Sequence, residues 1–305
     1  MFARNNAWNP DDDIPNLDGR IILVTGGYSG LGLETVRQLA RHNPTRIYVA
    51  GRSQERGETA IRKLKETVTN TDLRFLHMDL TSFQSVKSAV ESFQESESRL
   101  DLLVNNAGIV FAPPGLTSDG YEVQFGTNYM GHALLTRLLL PVLRATAKTK
   151  ADVRVVTVSS GSEAYTGKTT YDFEQFRTTM GNESTHTRHC LSKLALIHFA
   201  AAAAQRYPEV KFITIHPGAV RTTVGKNWDV GTLFLLFIRT WILFFAARVE
   251  VGALNQLWAS ASPDAVSGEF YHPVGVPGKG SQISRDAELR ERLWSWTEEE
   301  LQQHL

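Results

Sequence analysis

RIILVTGGYSGLG, residues 20–32, joins a short apolar run rich in β-branched side chains to the helical pattern running from Leu31 to Arg41. The order is strand, tight turn, helix. In such a turn Gly26 permits the bend, Gly30 lets the backbone approach a pyrophosphate, and Gly32 lets helix and strand pack closely, while the helix N-terminus offers N–H donors and a positive dipole end. The spacing GxxxGxG differs from the commoner GxGxxG, so the reading rests on the clean strand before it and the clean helix after it. Tyr28, Ser29 and Leu31 share the turn and are assigned to the same binding surface.

The alternation continues along the chain. Strand signals fall at Arg46 to Ala50, Leu73 to His77, Leu100 to Val104, Val153 to Val158, Lys211 to His216 and Gly268 to His272. Helical patterns cover Gln54 to Thr67, Phe83 to Phe93, Gly120 to Leu143 and His189 to Gln205. Closely spaced βα units imply an α/β fold with a doubly wound, mostly parallel sheet and helices on both faces. No repeat or low-complexity linker divides the chain, so residues 1–305 are expected to form a single domain. Residues 1–18 read as an N-terminal extension, 223–249 as an apolar lid, and 273–305 as a tail ending in a helix from Ser284 to Leu305 whose Trp294 and Trp296 are packing anchors. Ser160 to Arg188 is a polar, Thr-rich insertion, long enough to be a functional loop over the carboxyl ends of the strands.

The 305 residues are 42% hydrophobic and 21% charged, enough to bury a sizeable core. Lys+Arg and Asp+Glu both number 32, which leaves no basic excess for nucleic acid. Cys190 is the single cysteine and cannot form an internal disulfide, and MFARNNAWNPDDDIPNLDGR contains no apolar core of a secretory leader. A cytoplasmic protein is expected, with Asn182-Glu183-Ser184 a chance glycosylation match. Leu233 to Ala247 (LFLLFIRTWILFFAA) is apolar but for Arg239 and Thr240, yet shorter than the roughly 18 uninterrupted apolar residues of a spanning helix.

The second strand ends Ala50-Gly51-Arg52-Ser53, where NAD-binding Rossmann units carry an acidic residue for the ribose 2'-hydroxyl. An arginine offers forked donors to a 2'-phosphate instead, which favours NADP(H). Met78-Asp79-Leu80 follows the third strand and Asn105-Asn106-Ala107-Gly108 the fourth, Asn128 lies in the long helix after it, and Pro217-Gly218-Ala219-Val220-Arg221-Thr222 follows the sixth. With TGGYSGLG, this pattern resembles the short-chain dehydrogenase/reductase superfamily over essentially the whole chain. The closing GEFYHPVGVPGKGS and WSWTEEEL are similar to fungal members of its retinol-dehydrogenase-like branch. The resemblance implies a seven-stranded Rossmann sheet. It also implies that Asp79, with Leu80 beside it, hydrogen-bonds the adenine amino group, and that Asn106, Ala107 and Gly108 support the adenine-ribose pocket. Thr222 would hold the nicotinamide carboxamide, with Pro217, Gly218 and Val220 alongside.

The family's active site is a Ser, a Tyr and a Lys spaced YxxxK, assisted by an Asn. Carried over, these are Ser160, Lys193 and Asn128, with Lys193 also binding the nicotinamide ribose, but the tyrosine position is His189 in His189-Cys190-Leu191-Ser192-Lys193. Tyr165 precedes Lys168 by only three and sits in the loop. A spacing of four keeps His189 and Lys193 on one helix face. The ammonium lowers the imidazole pKa from ~6.5, so a neutral ring is expected at pH 7, a base or hydrogen-bond donor rather than a strong acid. Its reach is shorter than a phenol's, and a misplacement of about 1 Å costs about a hundredfold.

Three readings follow. The leading one is an NADPH-dependent carbonyl reductase or alcohol dehydrogenase, a tailoring step of secondary metabolism, in which His189 or a water it holds takes the tyrosine's part. The second is a non-redox isomerase, dehydratase or cyclase that uses His189 as base or donor. The third is an inactive NADP-binding interaction protein or an altered copy of an active enzyme. By the resemblance, Phe234, Phe237, Trp241, Phe244 and Phe245 cover a lipophilic small-molecule substrate. Peripheral contact of 233–247 with an intracellular membrane ranks second, since only Arg239 and Arg248 supply basic charge, and a homodimer-facing helix ranks third. His186, His189 and Cys190 have a spacing a metal could use, but no carboxylate or second cysteine supports it, so no metal is expected. Cys190 reads as a small buried hydrophobe, and His132, His198 and His216 as satisfied core or rim histidines.

Overall fold

The computed structural model describes residues 8–149, 152–166, 171–220 and 247–305. Strand β1 (Ile21–Thr25) is buried along its whole length. Successive strand side chains point to opposite faces, and here Ile21 and Leu23 enter one core while Ile22 and Val24 enter the other. A strand covered on both faces has no polar alternation, which is why RIILVT reads as a continuous apolar run.

The sheet contains β2 (Arg46–Gly51), β3 (Asp72–His77), β4 (Leu102–Asn105), β5 (Arg154–Val158), β6 (Lys211–Ile215) and β7 (Phe270–Tyr271). Its order is β3-β2-β1-β4-β5-β6-β7. Every pairing is parallel, so the expected mostly parallel sheet is wholly so among the described residues. The chain reverses its winding between β1 and β4, and ligands of such sheets bind outside the strand carboxyl ends at that point. On one face lie α3 (Phe83–Ser96), α4 (Gly131–Ala147), α5 (Thr185–Arg206) and α7 (Ala287–Leu301). On the other lie α1 (Gly30–Ala40), α2 (Gln54–Lys65) and α6 (Val249–Ala261). Ile14 and Leu17 of the N-terminal extension are buried in this second core.

Several boundaries differ from the sequence reading. The helix expected from Gly120 begins at Val123, passes through one π-helical turn at Gly126–Met130, and only then becomes α4. The helix expected from His189 begins at Thr185, where Ser184 Oγ accepts the Thr187 N–H at 3.0 Å. Its first turn, Thr-His-Thr-Arg, is polar and so gave no apolar period to read. The expected Gly268 to His272 strand shrinks to two residues, because His272 pairs back with Val276. The terminal helix is interrupted, with 3₁₀ turns at Ile283–Arg285 and Gln302–His304 flanking α7. Trp294 is buried there and Trp296 stacks on Phe173 at 5.0 Å.

The Ser160 to Arg188 insertion gives its last residues to α5 and buries Tyr171 and Phe176 in the core. Thr222, Arg239 and the five aromatic residues assigned to the lid lie outside the described residues. The two ends of that stretch meet, since the Ala247 N–H donates to the Ala219 carbonyl at 2.8 Å. No helix among the described residues is long and apolar enough to cross a membrane.

Candidate active site

The glycine turn has the geometry its spacing implies. Gly26 has a left-handed φ of +65° and Gly30 one of +51°, a region that side-chain-bearing residues rarely enter. A Cβ on Gly32 would lie 2.5 Å from both Asn106 Nδ2 and the Gly26 carbonyl, so the start of α1 fits against the strand only without a side chain. The N–H groups at the head of α1 are thereby placed at the β1 carboxyl end, where an anion can be bound. Ala107 and Gly108 close the floor, and the Asn106 Nδ2 donates to the Thr25 carbonyl at 2.8 Å.

Arg52 is exposed at the end of β2, and among the described residues no carboxylate lies within ion-pair distance of it. The Tyr28 ring lies across Gly51, leaving no room for a side chain there, and the Arg56 guanidinium sits 5.1 Å from its centroid. Arg56 and the Tyr28 ring thus meet over Gly51, the residue before Arg52. Arg56, in the first turn of α2, is not singled out by the sequence pattern. Asp79 Oδ1 accepts from the Thr81 N–H and hydroxyl at 2.9 and 2.8 Å, which fixes the turn after β3. Pro217 and Gly218 follow β6, and Val220 bridges to Ala247.

A buried hydrogen-bond chain links the glycine turn to the active helix. Thr25 Oγ1 accepts the N–H groups of Asn106 and Ala107, both at 2.9 Å, and lies 2.9 Å from His132 Nε2. His132 Nδ1 lies 2.8 Å from the Asn128 carbonyl, which can only accept, so Nδ1 carries the hydrogen and Nε2 receives the Thr25 hydroxyl. Burial holds this imidazole near pKa 4 and therefore neutral. Asn128 lies in the π turn. Its Oδ1 accepts the Ile109 N–H at 2.8 Å, and its Nδ2 donates to the Ile109 carbonyl and to Ser192 Oγ, both at 3.0 Å. Ser192 in turn donates to the His189 carbonyl at 2.7 Å. A π turn of this kind is frequent at functional sites.

Asn128 Oδ1 and Lys193 Nζ both face Gly108, His189 lies one turn before Lys193 on α5, and Ser160 follows β5. Ser159 Oγ donates to the Lys193 carbonyl at 2.7 Å, pinning the end of β5 to α5. Ser160 Oγ, next in the chain, accepts the Ser162 N–H at 3.1 Å. Lys193 Nζ donates to the Val158 carbonyl at 3.0 Å and faces Gly108, where a Cβ would come within 3.5 Å of it. Burial lowers Lys193 to about 8. Burial also drops His189 to about 3, with the Lys193 ammonium second and His186 a smaller contribution, while the Ile109 backbone opposes the shift. The expected neutral imidazole is present, but desolvation rather than the ammonium is its main cause. His189 Nδ1 is buried without a partner. An unpartnered ring nitrogen near a lysine can hold a water or a substrate oxygen.

Two further features bear on the site. Arg188 and Glu122, 1% and 0% exposed, form an ion pair at 2.6 Å immediately before His189. Arg188 Nη2 also donates to the Ala112 carbonyl at 3.0 Å, and Glu122 Oε2 accepts the Phe125 N–H at 2.6 Å. The pair therefore ties the head of α5 to the π turn and to the loop after β4. His216 departs from the expected satisfied histidine, because its Nδ1 is buried without a partner, 5.0 Å between ring centroids from His272. His198 does have partners, Tyr171 and the Ile283 carbonyl, both at 2.9 Å. Cys190 is buried and pushed up to about 11, so it is a small hydrophobe rather than a nucleophile.

A crossover sheet with a glycine turn at its switch point and a Ser, Lys and Asn at its carboxyl edge defines a nucleotide-dependent oxidoreductase class. The family model for short chain dehydrogenases matches residues 20–172. A short-chain dehydrogenase/reductase of Armillaria gallica is 36% identical over 303 residues, 98% of this chain and 95% of that one. The polyprenol dehydrogenase of Homo sapiens is 32% identical, covering 92% and 84%. A crystal structure of an uncharacterised Mycobacterium paratuberculosis protein superposes with a TM-score of 0.74 at 28% identity, covering 97% and 98%. The chain belongs to the short-chain dehydrogenase/reductase family, and it is an oxidoreductase of that type with a fold that takes a nicotinamide cofactor.

Proposed function

We propose that the protein is an NADP(H)-dependent carbonyl reductase or alcohol dehydrogenase for a lipophilic substrate, with His189 in the tyrosine's place. The observation that carries this reading is the approach of Lys193, one turn from His189 on α5, and of Asn128 to Gly108, beside a glycine turn whose Gly32 admits no side chain. The residues present fit the nucleotide. The head of α1 would hold its pyrophosphate, Arg52 with Arg56 its 2'-phosphate, and Lys193 its nicotinamide ribose. When bound, NADPH supplies the hydride. Ser160 and the neutral His189 donate hydrogen bonds to the carbonyl oxygen. A neutral imidazole polarises a carbonyl but is a poor proton source, so the proton that completes the alcohol comes from the Lys193 ammonium through a water held at His189. The apolar 233–247 stretch supports a lipophilic substrate, as do relatives named polyprenol dehydrogenase and retinol dehydrogenase 13. A single cysteine supports a cytoplasmic setting.

The deciding measurement is stoichiometry. One NADPH is oxidised per alcohol formed, and product appearing without nucleotide consumption would overturn the reading. For the nucleotide preference, Arg52→Ala should weaken NADP(H) binding about tenfold by loss of a charge-assisted pair while leaving NAD(H) binding nearly unchanged. Equal losses for both, measured by fluorescence titration, would remove Arg52 from the 2'-phosphate. The pH profile follows from the two lowered pKa values. Lys193 must be protonated, so kcat/KM for reduction is flat below about 8 and falls about tenfold per unit above it. With His189 near 3, no inflection is expected around 6.5. A profile that breaks at 6.5 would show an imidazole titrating in the catalytic cycle.

A further inference from the structure

Three rings from three segments meet beside the head of α5. Phe111 follows Gly108 by three residues, Tyr165 follows Ser160 by five, and His186 precedes His189 by three on α5. The last spacing places His186 about 4.5 Å along the helix axis from His189 and on the same face. The Phe111 and His186 rings lie 6.2 Å apart with planes 27° from parallel, and Tyr165 approaches His186 at 6.3 Å. Cys190 Sγ lies 3.6 Å from His186 Nδ1, which fixes the imidazole from below.

Tyr165 is 68% exposed and fills no interior space. Phe111 holds a φ of +54°, a conformation that a bulky residue keeps only where its surroundings over-determine it, and such residues gather at ligand clamps.

We propose that Phe111, Tyr165 and His186 form a ring-recognition subsite, and that the substrate is a ketone or aldehyde conjugated with an aromatic ring. The proposal rests on the carbonyl-reductase reading for the placement of the reacting carbonyl. The near-parallel faces of Phe111 and His186 reward a flat π system with offset stacking, whereas a saturated ring or an isoprenoid chain gains only from area. The carbonyl then points down α5 towards His189 and Ser160.

The test is equilibrium binding of 1-tetralone, 1-decalone and geranial to the full-length protein with NADP+ present, by titration calorimetry. The aromatic and saturated bicyclic ketones share one carbon skeleton. 1-Tetralone should bind about tenfold more tightly than 1-decalone or geranial, as two aromatic contacts allow. Tyr165→Leu and Phe111→Leu should each reduce the tetralone-to-decalone ratio, and together bring it to about one. Val266→Ser, exposed beside the start of β7, should leave it unchanged. Tyr165 is so exposed that its replacement does not threaten folding. Equal binding of the three compounds, absence of binding, or a ratio untouched in both variants would overturn the subsite. NADPH oxidation with the same ketones is read separately. If tetralone binds with the expected preference and no NADPH is consumed, the reductase reading fails and the subsite stands.

Discussion

His189→Tyr should speed NADPH-dependent ketone reduction by about a hundredfold, the low end of what a positioned general acid contributes. On the proposed assignment the variant keeps Ser160, Lys193 and Asn128, and Lys193 is the cation that would lower a phenol's pKa. The wild-type imidazole, held near 3 by burial, stays neutral and stops short of where a phenol oxygen would project. The larger ring will cost about 1–3 kcal/mol of stability through overpacking, so the variant should melt lower while turning over faster. Steady-state rates at pH 7 with saturating NADPH provide the check. A tyrosine variant that binds NADPH as well as wild type but reduces no faster would sink the idea that this position limits the chemistry.

The second large effect concerns Glu122 and Arg188. Glu122→Ala strands a guanidinium that is 1% exposed, and breaking such a buried pair costs about 3–5 kcal/mol. Arg188→Met strands the carboxylate and should cost a similar amount, moderated because burial already raises the Glu122 pKa and favours its neutral form. The double variant Glu122→Ala/Arg188→Met leaves no stranded charge and should lose much less than the two single losses combined. Urea denaturation of the four proteins measures this as a coupling free energy. Additive losses below about 1 kcal/mol each would mean that the pair is not the clamp its geometry indicates. Activity should fall with stability in the single variants, because Arg188 immediately precedes His189 and also holds the Ala112 carbonyl.

What the chain disclosed before its structure follows a physical rule. Features carried by a few neighbouring residues were legible: the β1 run, the roles of Gly26 and Gly32, Arg52 closing β2, and Ser160 after a buried strand. Features that need a distant partner were not. Thr25 and His132 are 107 residues apart, and Glu122 and Arg188 are 66 apart. Neither pair leaves a local pattern, since a buried arginine and a surface arginine look alike in sequence. The head of α5 was missed for the same reason, its polar first turn being stabilised by a cap and a remote carboxylate rather than by apolar periodicity. Phe111, Tyr165 and His186 stand on three separate segments, so only the tertiary fold assembles them.

The π turn at Gly126–Met130 also sets a limit on how this sequence can drift. A π turn winds one more residue into a helical circuit than an α turn does. Everything on its N-terminal side is therefore rotated by roughly 100° relative to an uninterrupted α-helix. Deleting any one residue between Gly126 and Met130 would let the helix relax to its ordinary period, turning Glu122 away from Arg188 and Asn128 away from Ile109 in one step. Point substitutions in this segment are graded in their effects, whereas a change of length is all or none. Homologous segments here should therefore vary in residue type while keeping a fixed residue count, unlike the surface loops at either end of the same sheet.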